Sequence, residues 1–323
     1  MRLATNFTAA LLLSALSLAA CHREPVVAKK EPPPLAPLSD GLAAYDRGDY
    51  AAALAVFKPL AEKGDAQAEN NLGRLYHDGK GVTQDHAEAL KWFQQASAQG
   101  EVAAEYNLGL AYENGQGVPK DPGQAMTWYR RAADQGRAEA ETNLGRMYHD
   151  GVSTPPDFIE ALKWFGAAAA QGDGGAQYDL GLMSANGEGQ PKNEIAAAKW
   201  YRAAAEQGVA IAEYSLAAML EEGRGVPQDY AEAAKWYRAA AGQGQAEAQN
   251  NLAGLYALGR GVPKDEVKTD MWVSLALPSL NPADQKKTQA YRQNLESEMT
   301  DEQIAQAKAL ATRCKDSNFQ DCD

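Results

Sequence analysis

Residues 101–136 read EVAAEYNLGLAYENGQGVPKDPGQAMTWYRRAADQG, and the spacing of their apolar and glycine positions describes two helices joined by a short loop. Ala104, Leu108, Ala111 and Tyr112 fall at i, i+4, i+7 and i+8, which is one face of a first helix. Gly115 follows where a helix ends in a left-handed residue. The loop GQGVPKD then leads to Asp121, whose short carboxylate suits the start of a second helix. Ala125, Trp128, Tyr129 and Ala132 form the stripe of that helix, and Gly136 closes it.

The pattern recurs every 36 residues. The six tryptophans are Trp92, Trp128, Trp164, Trp200, Trp236 and Trp272, and none lies outside this register. Leu72, Leu108, Leu144, Leu180, Leu216 and Leu252 keep the same step, as do Gly79, Gly115, Gly151, Gly187, Gly223 and Gly259. A fixed period of this length means stacked units, each burying its apolar face against the next. The expected fold is all-α: a right-handed α-solenoid of helix-turn-helix repeats, with an N-terminal half-repeat and C-terminal capping helices. The tryptophans, spaced with alanines, are read as core. The position held by Gly73, Gly109, Gly145 and Gly181 becomes Ala217 and Ala253, so it calls for a small side chain inside a helix rather than an unusual dihedral. Asp85/Glu88, Asp157/Glu160 and Asp229/Glu232 have the spacing of reciprocal helix caps.

A unit with A-x-x-x-L-G-x-x-Y, then G-x-G-V-P-x-D, then A-x-x-W-Y-x-x-A-A-x-x-G resembles the Sel-1-like repeat, a longer-looped relative of the tetratricopeptide repeat. The clearest copies are residues 101–136 and 209–244, and the resemblance covers six repeats over 65–280. Residues 137–172 depart from it in the loop, where Ser153 replaces the second glycine, and the sixth unit has Leu280 in place of its closing glycine. The resemblance is specific for the fold and weak for function.

The ends differ in kind. Residues 1–20 have Arg2, then an apolar run too short to span a bilayer. They end in Leu18-Ala19-Ala20-Cys21, which matches the lipobox of bacterial lipoprotein signal peptides and implies lipidation of Cys21. Several acyl chains on one cysteine anchor stably, and His22 after it favours the outer membrane, facing the periplasm. Residues 21–40 are rich in proline and read as a disordered tether, extending about 3.1 Å per residue. Residues 41–64 carry only the second-helix pattern and read as a capping half-repeat. Residues 281–323 are expected to hold capping helices, one after Asn281-Pro282 and one after Thr300, and a tail. Cys314 and Cys322 are expected to pair outside the cytoplasm, stapling that tail by about 2–3 kcal/mol.

A formal net charge of -12 argues against nucleic acid as a partner, since nothing offsets phosphate repulsion. It serves solubility, or alternatively selects a neutral or basic partner. H-E-x-x-H, G-x-S-x-G and C-x-x-C are absent from the sequence. His77 and His149 stand two units apart, too far to share a metal. No catalytic residue, metal site or cofactor is expected.

Two columns on the first helices remain. One holds Asn71, Asn107, Asn143, Asp179, Ser215 and Asn251; the other includes Tyr106, Tyr178 and Tyr214. These amides either grip a bound backbone, with tyrosines adding rigid contact area, or tie one unit to the next. The function implied by the resemblance is a non-catalytic periplasmic scaffold binding other envelope proteins or peptides, in secretion, polysaccharide export or cell-wall machinery. The alternative is an enzyme or binder of β-lactam or cell-wall ligands, like cysteine-rich Sel-1-like relatives. Those carry a paired cysteine in each repeat, and this chain has none there. If the lipobox reading holds, Cys21→Ser leaves a protein that fractionates as soluble with unchanged helix content. A variant still pelleting with membranes in high salt would refute it.

Overall fold

The computed structural model describes residues 36–319, 321 and 322. Among them are sixteen α-helices and no strand. An N-terminal hairpin pairs α1 (Leu38–Asp46) with α2 (Tyr50–Ala61). Six hairpins follow: α3 (Ala66–Asp78) with α4 (His86–Ala98), α5 (Val102–Asn114) with α6 (Pro122–Asp134), and α7 (Ala138–Asp150) with α8 (Phe158–Ala170). Next come α9 (Gly174–Asn186) with α10 (Glu194–Ala205), α11 (Ala210–Glu222) with α12 (Tyr230–Ala241), and α13 (Ala246–Leu258) with α14 (Glu266–Ala276). From α1 to α14 each helix packs on its sequence neighbours, which makes the stack a helical solenoid. α15 (Pro282–Glu298) and α16 (Asp301–Asp316) end it.

The signal-peptide reading of residues 1–20, lipidated Cys21 and the tether to residue 35 lie outside the described residues. Two boundaries are corrected. The tether does not reach residue 40, because α1 begins at Leu38 and seats Leu38 against the core around Phe57. The half-repeat is a complete hairpin. Gly41 lies under the Phe57 ring, where a Cβ would sit 2.5 Å from Cε1, as Gly73 lies under Phe93 at 2.7 Å. The loop between α1 and α2 is four residues shorter than between α3 and α4. This moved the first helix out of the 36-residue register and hid it.

The glycine-under-ring contact is what the first five hairpins are built on, and Ala217 and Ala253 take the glycine's place in the last two. A Cβ at Gly109 would meet the Tyr129 ring at 2.5 Å, at Gly145 the Phe165 ring at 2.7 Å, and at Gly181 the Tyr201 ring at 2.6 Å. The aromatic residue after each of the first five tryptophans therefore faces the first helix and is buried, each such side chain contributing about 1.5–3 kcal/mol. This corrects the reading of the tryptophans. Only Trp164, 7% exposed, and Trp272, 1% exposed, are core; Trp92, Trp128, Trp200 and Trp236 are half-buried. Trp92, Trp128 and Trp200 lie one helical step round from the buried ring, against clusters built by earlier helices. The indoles of Trp164 and Trp236 donate to Glu160 and Glu232. Those glutamates are thus turned away from reciprocal capping, and Asp157 and Asp229 alone accept from the first helical amides.

Each second loop glycine touches backbone. A Cβ at Gly117 would lie 2.3 Å from the His86 carbonyl oxygen, and Gly225 and Gly261 approach Glu194 and Tyr230 in the same way. Ser153 keeps the same left-handed backbone at φ 67° with a side chain present. At the far end Asp270 is fully buried where earlier second helices carry Leu90, Met126, Leu162, Ala198 and Ala234. Arg292 of α15 donates to it at 2.6 Å. α16 packs on α14, starts with the Thr300/Gln303 capping box, and ends at a Cys314–Cys322 disulfide. Ser153→Gly is expected to stabilise the chain by about 1 kcal/mol, the cost of left-handed backbone for a residue with a Cβ. Urea unfolding of the two proteins side by side measures it.

Candidate functional site

Along the first helices the polar columns resolve into two kinds of role. The deeper one was not read from the sequence. Glu69, Glu105, Glu141 and Glu213, with Gln177 in the same register, are buried on α3, α5, α7, α11 and α9. Each accepts from the glutamine thirty residues later, just before the glycine that closes the second helix: Gln99 at 2.8 Å, Gln135 at 2.6 Å, Gln171 at 2.9 Å, Gln243 at 2.9 Å and Gln207 at 2.7 Å. Burial raises the pKa of all four glutamates above the usual carboxylate value, against the glutamine hydrogen bonds. The signal was present in the repeated Gln-Gly pairs at 99–100, 135–136, 171–172, 207–208 and 243–244.

The asparagine column ties unit to unit. Asn107 Nδ2 donates to Asn70 Oδ1 at 2.9 Å, and Asn251 Nδ2 to the Tyr237 hydroxyl at 3.1 Å. Asn143 lies beside Tyr106 and Tyr129 of the preceding hairpin. Asn71 is buried and donates to the Gln67 carbonyl. Tyr106, Tyr178 and Tyr214 are half-buried, with rings 5.8, 5.6 and 5.9 Å from those of Tyr129, Tyr201 and Tyr237. They are partly framework, and they do not stand free as a stripe.

Two members of the column, Asn143 and Asp179, do face open space. A hollow of about 320 Å³ between the second and third repeats is lined by Glu113, Lys120, Pro122, Asn143, Arg146, Met147, Asp150 and Val152. A second, of about 220 Å³ between the third and fourth, is lined by Arg146, His149, Asp150, Phe165, Asp179, Leu182 and Met183. Arg146 belongs to both and donates to Asp179 at 2.8 Å. Burial pushes the Asp179 carboxyl up in spite of that guanidinium. His149 bridges Asp150 at 2.8 Å and Glu188 at 3.0 Å. Burial opposes its charge, yet the two carboxylates hold its pKa above the usual histidine value. Arg146 and Leu182 went unremarked in the sequence, although Arg74, Leu110, Arg146 and Leu182 form a column that alternates charged and apolar.

The acids are already engaged by Arg146, His149 or, for Glu113, the Tyr129 hydroxyl. Among the described residues no group of three or more His, Cys, Asp or Glu is placed to hold a metal ion. The hollows are open and mixed in polarity.

A stack of helical hairpins with a continuous first-helix face defines a repeat solenoid. Residues 66–101, 102–136, 138–173, 175–209, 210–245 and 246–269 each match the Sel1 repeat, and the chain belongs to the Sel1 repeat family. It is similar to a protective antigen present in uropathogenic Escherichia coli strains that displays an SLR fold, with 35% identity and a TM-score of 0.70. That likeness covers 82% of this chain and 57% of the antigen, so the chain spans little more than half of that relative's length. It is also similar to a Sel1 repeat protein from Oxalobacter formigenes, at 33% identity and a TM-score of 0.71, over 76% of this chain and 100% of the other. No curated protein matches it. Sel1 repeat proteins are generally non-catalytic scaffolds that mediate protein-protein interactions.

The buried glutamates fix the sign of a pH effect. A carboxyl whose folded pKa is raised contributes stability below its unfolded pKa and loses it as the pH rises through the folded one. Glu141→Gln keeps the acceptor for Gln171, as Gln177 does for Gln207. It is expected to melt higher than the parent at pH 7.5, with the gap closing towards pH 4. Melting curves across that range measure it; a variant less stable at pH 7.5 would contradict the raised pKa.

Proposed function

We propose that this chain is a non-catalytic scaffold of the bacterial cell envelope, anchored through lipidated Cys21 to the outer membrane and facing the periplasm. Its first-helix face around Arg146 receives a segment of another envelope protein, within secretion, polysaccharide-export or cell-wall machinery. Arg146 carries this reading, because it lines two adjoining hollows in which polar and apolar groups face the same open space. The lipobox at 18–21 supports the location, and the generally non-catalytic character of Sel1 repeat proteins supports the absence of chemistry. The net charge of -12 favours a neutral or basic segment, so binding weakens with salt.

The tyrosines make poor probes, since each is stacked on a second tyrosine. Arg146→Ala combined with Asp179→Asn removes the ion pair between the hollows without leaving a half-buried carboxylate unpaired. This double variant is expected to melt within a few degrees of the parent and to lose the proteins that cross-link to the parent in intact cells. A folded double variant that keeps every cross-linked partner would move the binding site elsewhere.

A further inference from the structure

The joint between the third and fourth repeats is made by a histidine held between two carboxylates. His149, in the last turn of α7, sets Nδ1 against Asp150 at 2.8 Å and Nε2 against Glu188 at 3.0 Å. Asp150 is the next residue of the same helix, whereas Glu188 lies in the loop between α9 and α10 of the following hairpin. That loop closes over the start of α8. A Cβ at Gly189 would lie 2.9 Å from the Phe158 carbonyl oxygen, and the Phe158 ring sits 5.4 Å from the imidazole. Of the other charged groups beside the ring, Arg146 on α7 and Asp179 on α9 line the same hollow and are paired with each other.

An ionised carboxylate accepts hydrogen bonds and donates none, so each ring nitrogen bonded to one must carry a proton. A neutral imidazole has one N–H and a lone pair on the other nitrogen. The geometry of His149 is therefore that of the imidazolium ion, and the neutral ring can keep one of its two contacts. The joint between the first and second repeats has the same plan with different chemistry. His77 sets Nδ1 against Asp78 at 2.9 Å and Nε2 against the Gln116 side chain at 3.1 Å, and the His86 ring stands in the register of Phe158. An amide can turn over to donate as well as accept, so that joint survives either charge on its ring. Glu188 has no such choice.

We propose that His149 is a proton-operated clasp between the third and fourth repeats. Charged, it ties the loop that carries Glu188 to the end of α7. Neutral, it keeps its proton on Nδ1 for Asp150 and lets Glu188 go. Asp150 is the contact retained because it is adjacent in the chain and makes the shorter bond, whereas holding Glu188 means ordering a loop of another hairpin. Glu188 also keeps a second partner in Asn186, which donates to its other oxygen at 3.1 Å. Loss of the proton takes a positive charge out of the hollow lined by Arg146, Asp150 and Asp179 and makes that hollow more acidic. Burial opposes the charge on His149, yet the two carboxylates outweigh it and raise the folded pKa. A histidine shifted in that direction contributes its stability fully below the unfolded pKa and loses it as the pH rises through the folded one. The clasp thus holds in acid and opens towards alkaline pH. The proton step is a property of the chain alone and needs no partner segment.

The test uses the purified full chain with nitrogen-labelled histidine, read by magnetic resonance of the ring nitrogens. The His149 signals are assigned by their loss in His149→Ala, which copies Ala185 in the same register. This ring is expected to titrate above the usual histidine value, and its neutral form to carry the proton on Nδ1. Hydrogen exchange reads the loop through the amides of Glu188 and Asn193, which bond the Met183 and Ser184 carbonyls. Corrected for its intrinsic dependence on pH, their exchange is expected to quicken about tenfold over the same pH range, while the matching amides of Gln116 and Asp121 show no step. Glu188→Gln, which copies Gln116, is expected to lower the pH at which the ring titrates and to remove the step. Both substitutions place residues that the array already carries in that register, so the helix content is expected to be kept. A neutral ring with its proton on Nε2 would overturn the proposal, as would a ring in the parent chain titrating at or below the usual value, or a step that persists in Glu188→Gln.

Discussion

The close approach of two helices within a hairpin is the constraint on which this structure rests. A bare glycine Cα in the first helix lets an aromatic ring of the second lie flat against the backbone, from Gly41 and Phe57 at the start to Gly181 and Tyr201 further on. Helix packing is dense enough that one added carbon must displace something. Because the contact repeats from the first hairpin to the fifth, and a side chain no larger than alanine holds its place at Ala217 and Ala253, the hairpins take similar shapes, and similar shapes stack. The stack then converts a local pattern of four or five residues into a long surface with a fixed spacing. Nothing in the array needs contacts between distant units, which is the physical meaning of a one-dimensional fold.

Polar groups are used in two directions. The glutamine–glutamate bonds join the start of a first helix to the end of the second, with the glutamate buried and the glutamine at the surface. The asparagine ties cross from one hairpin to the next. Around the third repeat the face opens. Arg146 and Leu182 differ in length and character, and beside them the two hollows form. Binding surface in such an array comes from differences between units, while stability comes from their sameness.

That division explains what could be read in advance. The period, the helix ends at Gly79 and its counterparts, and the need for a small residue at position 73 follow from backbone and packing rules that act within one unit, so sequence shows them. The first hairpin escaped because a shorter loop shifted Gly41 against Phe57 while leaving the local chemistry intact. The tryptophans were misread because neighbours on a helix lie about 100° apart, and the buried position belongs to Phe93, Tyr129, Phe165 and Tyr201 instead. Of the residues expected to bind, Asn143 and Asp179 face open space, whereas Asn71, Asn107 and Asn251 are engaged inside the framework. Polar columns of either kind look alike in sequence, since the partner of each amide is a matter of geometry.

The buried pair of Asp270 and Arg292 gives the array a direction of growth. Every earlier second helix offers an apolar residue at that place, so any hairpin can follow it; α14 offers a carboxylate, and α15 supplies the matching guanidinium. A hairpin spliced in after residue 280 would cover Asp270 with no cation and leave a charge stranded in a dry site. One spliced in between existing hairpins would meet apolar surface on both sides. Lengthening by duplication is thus open in the interior and closed at the carboxyl end, and the terminal unit acts as a stop signal written in charge.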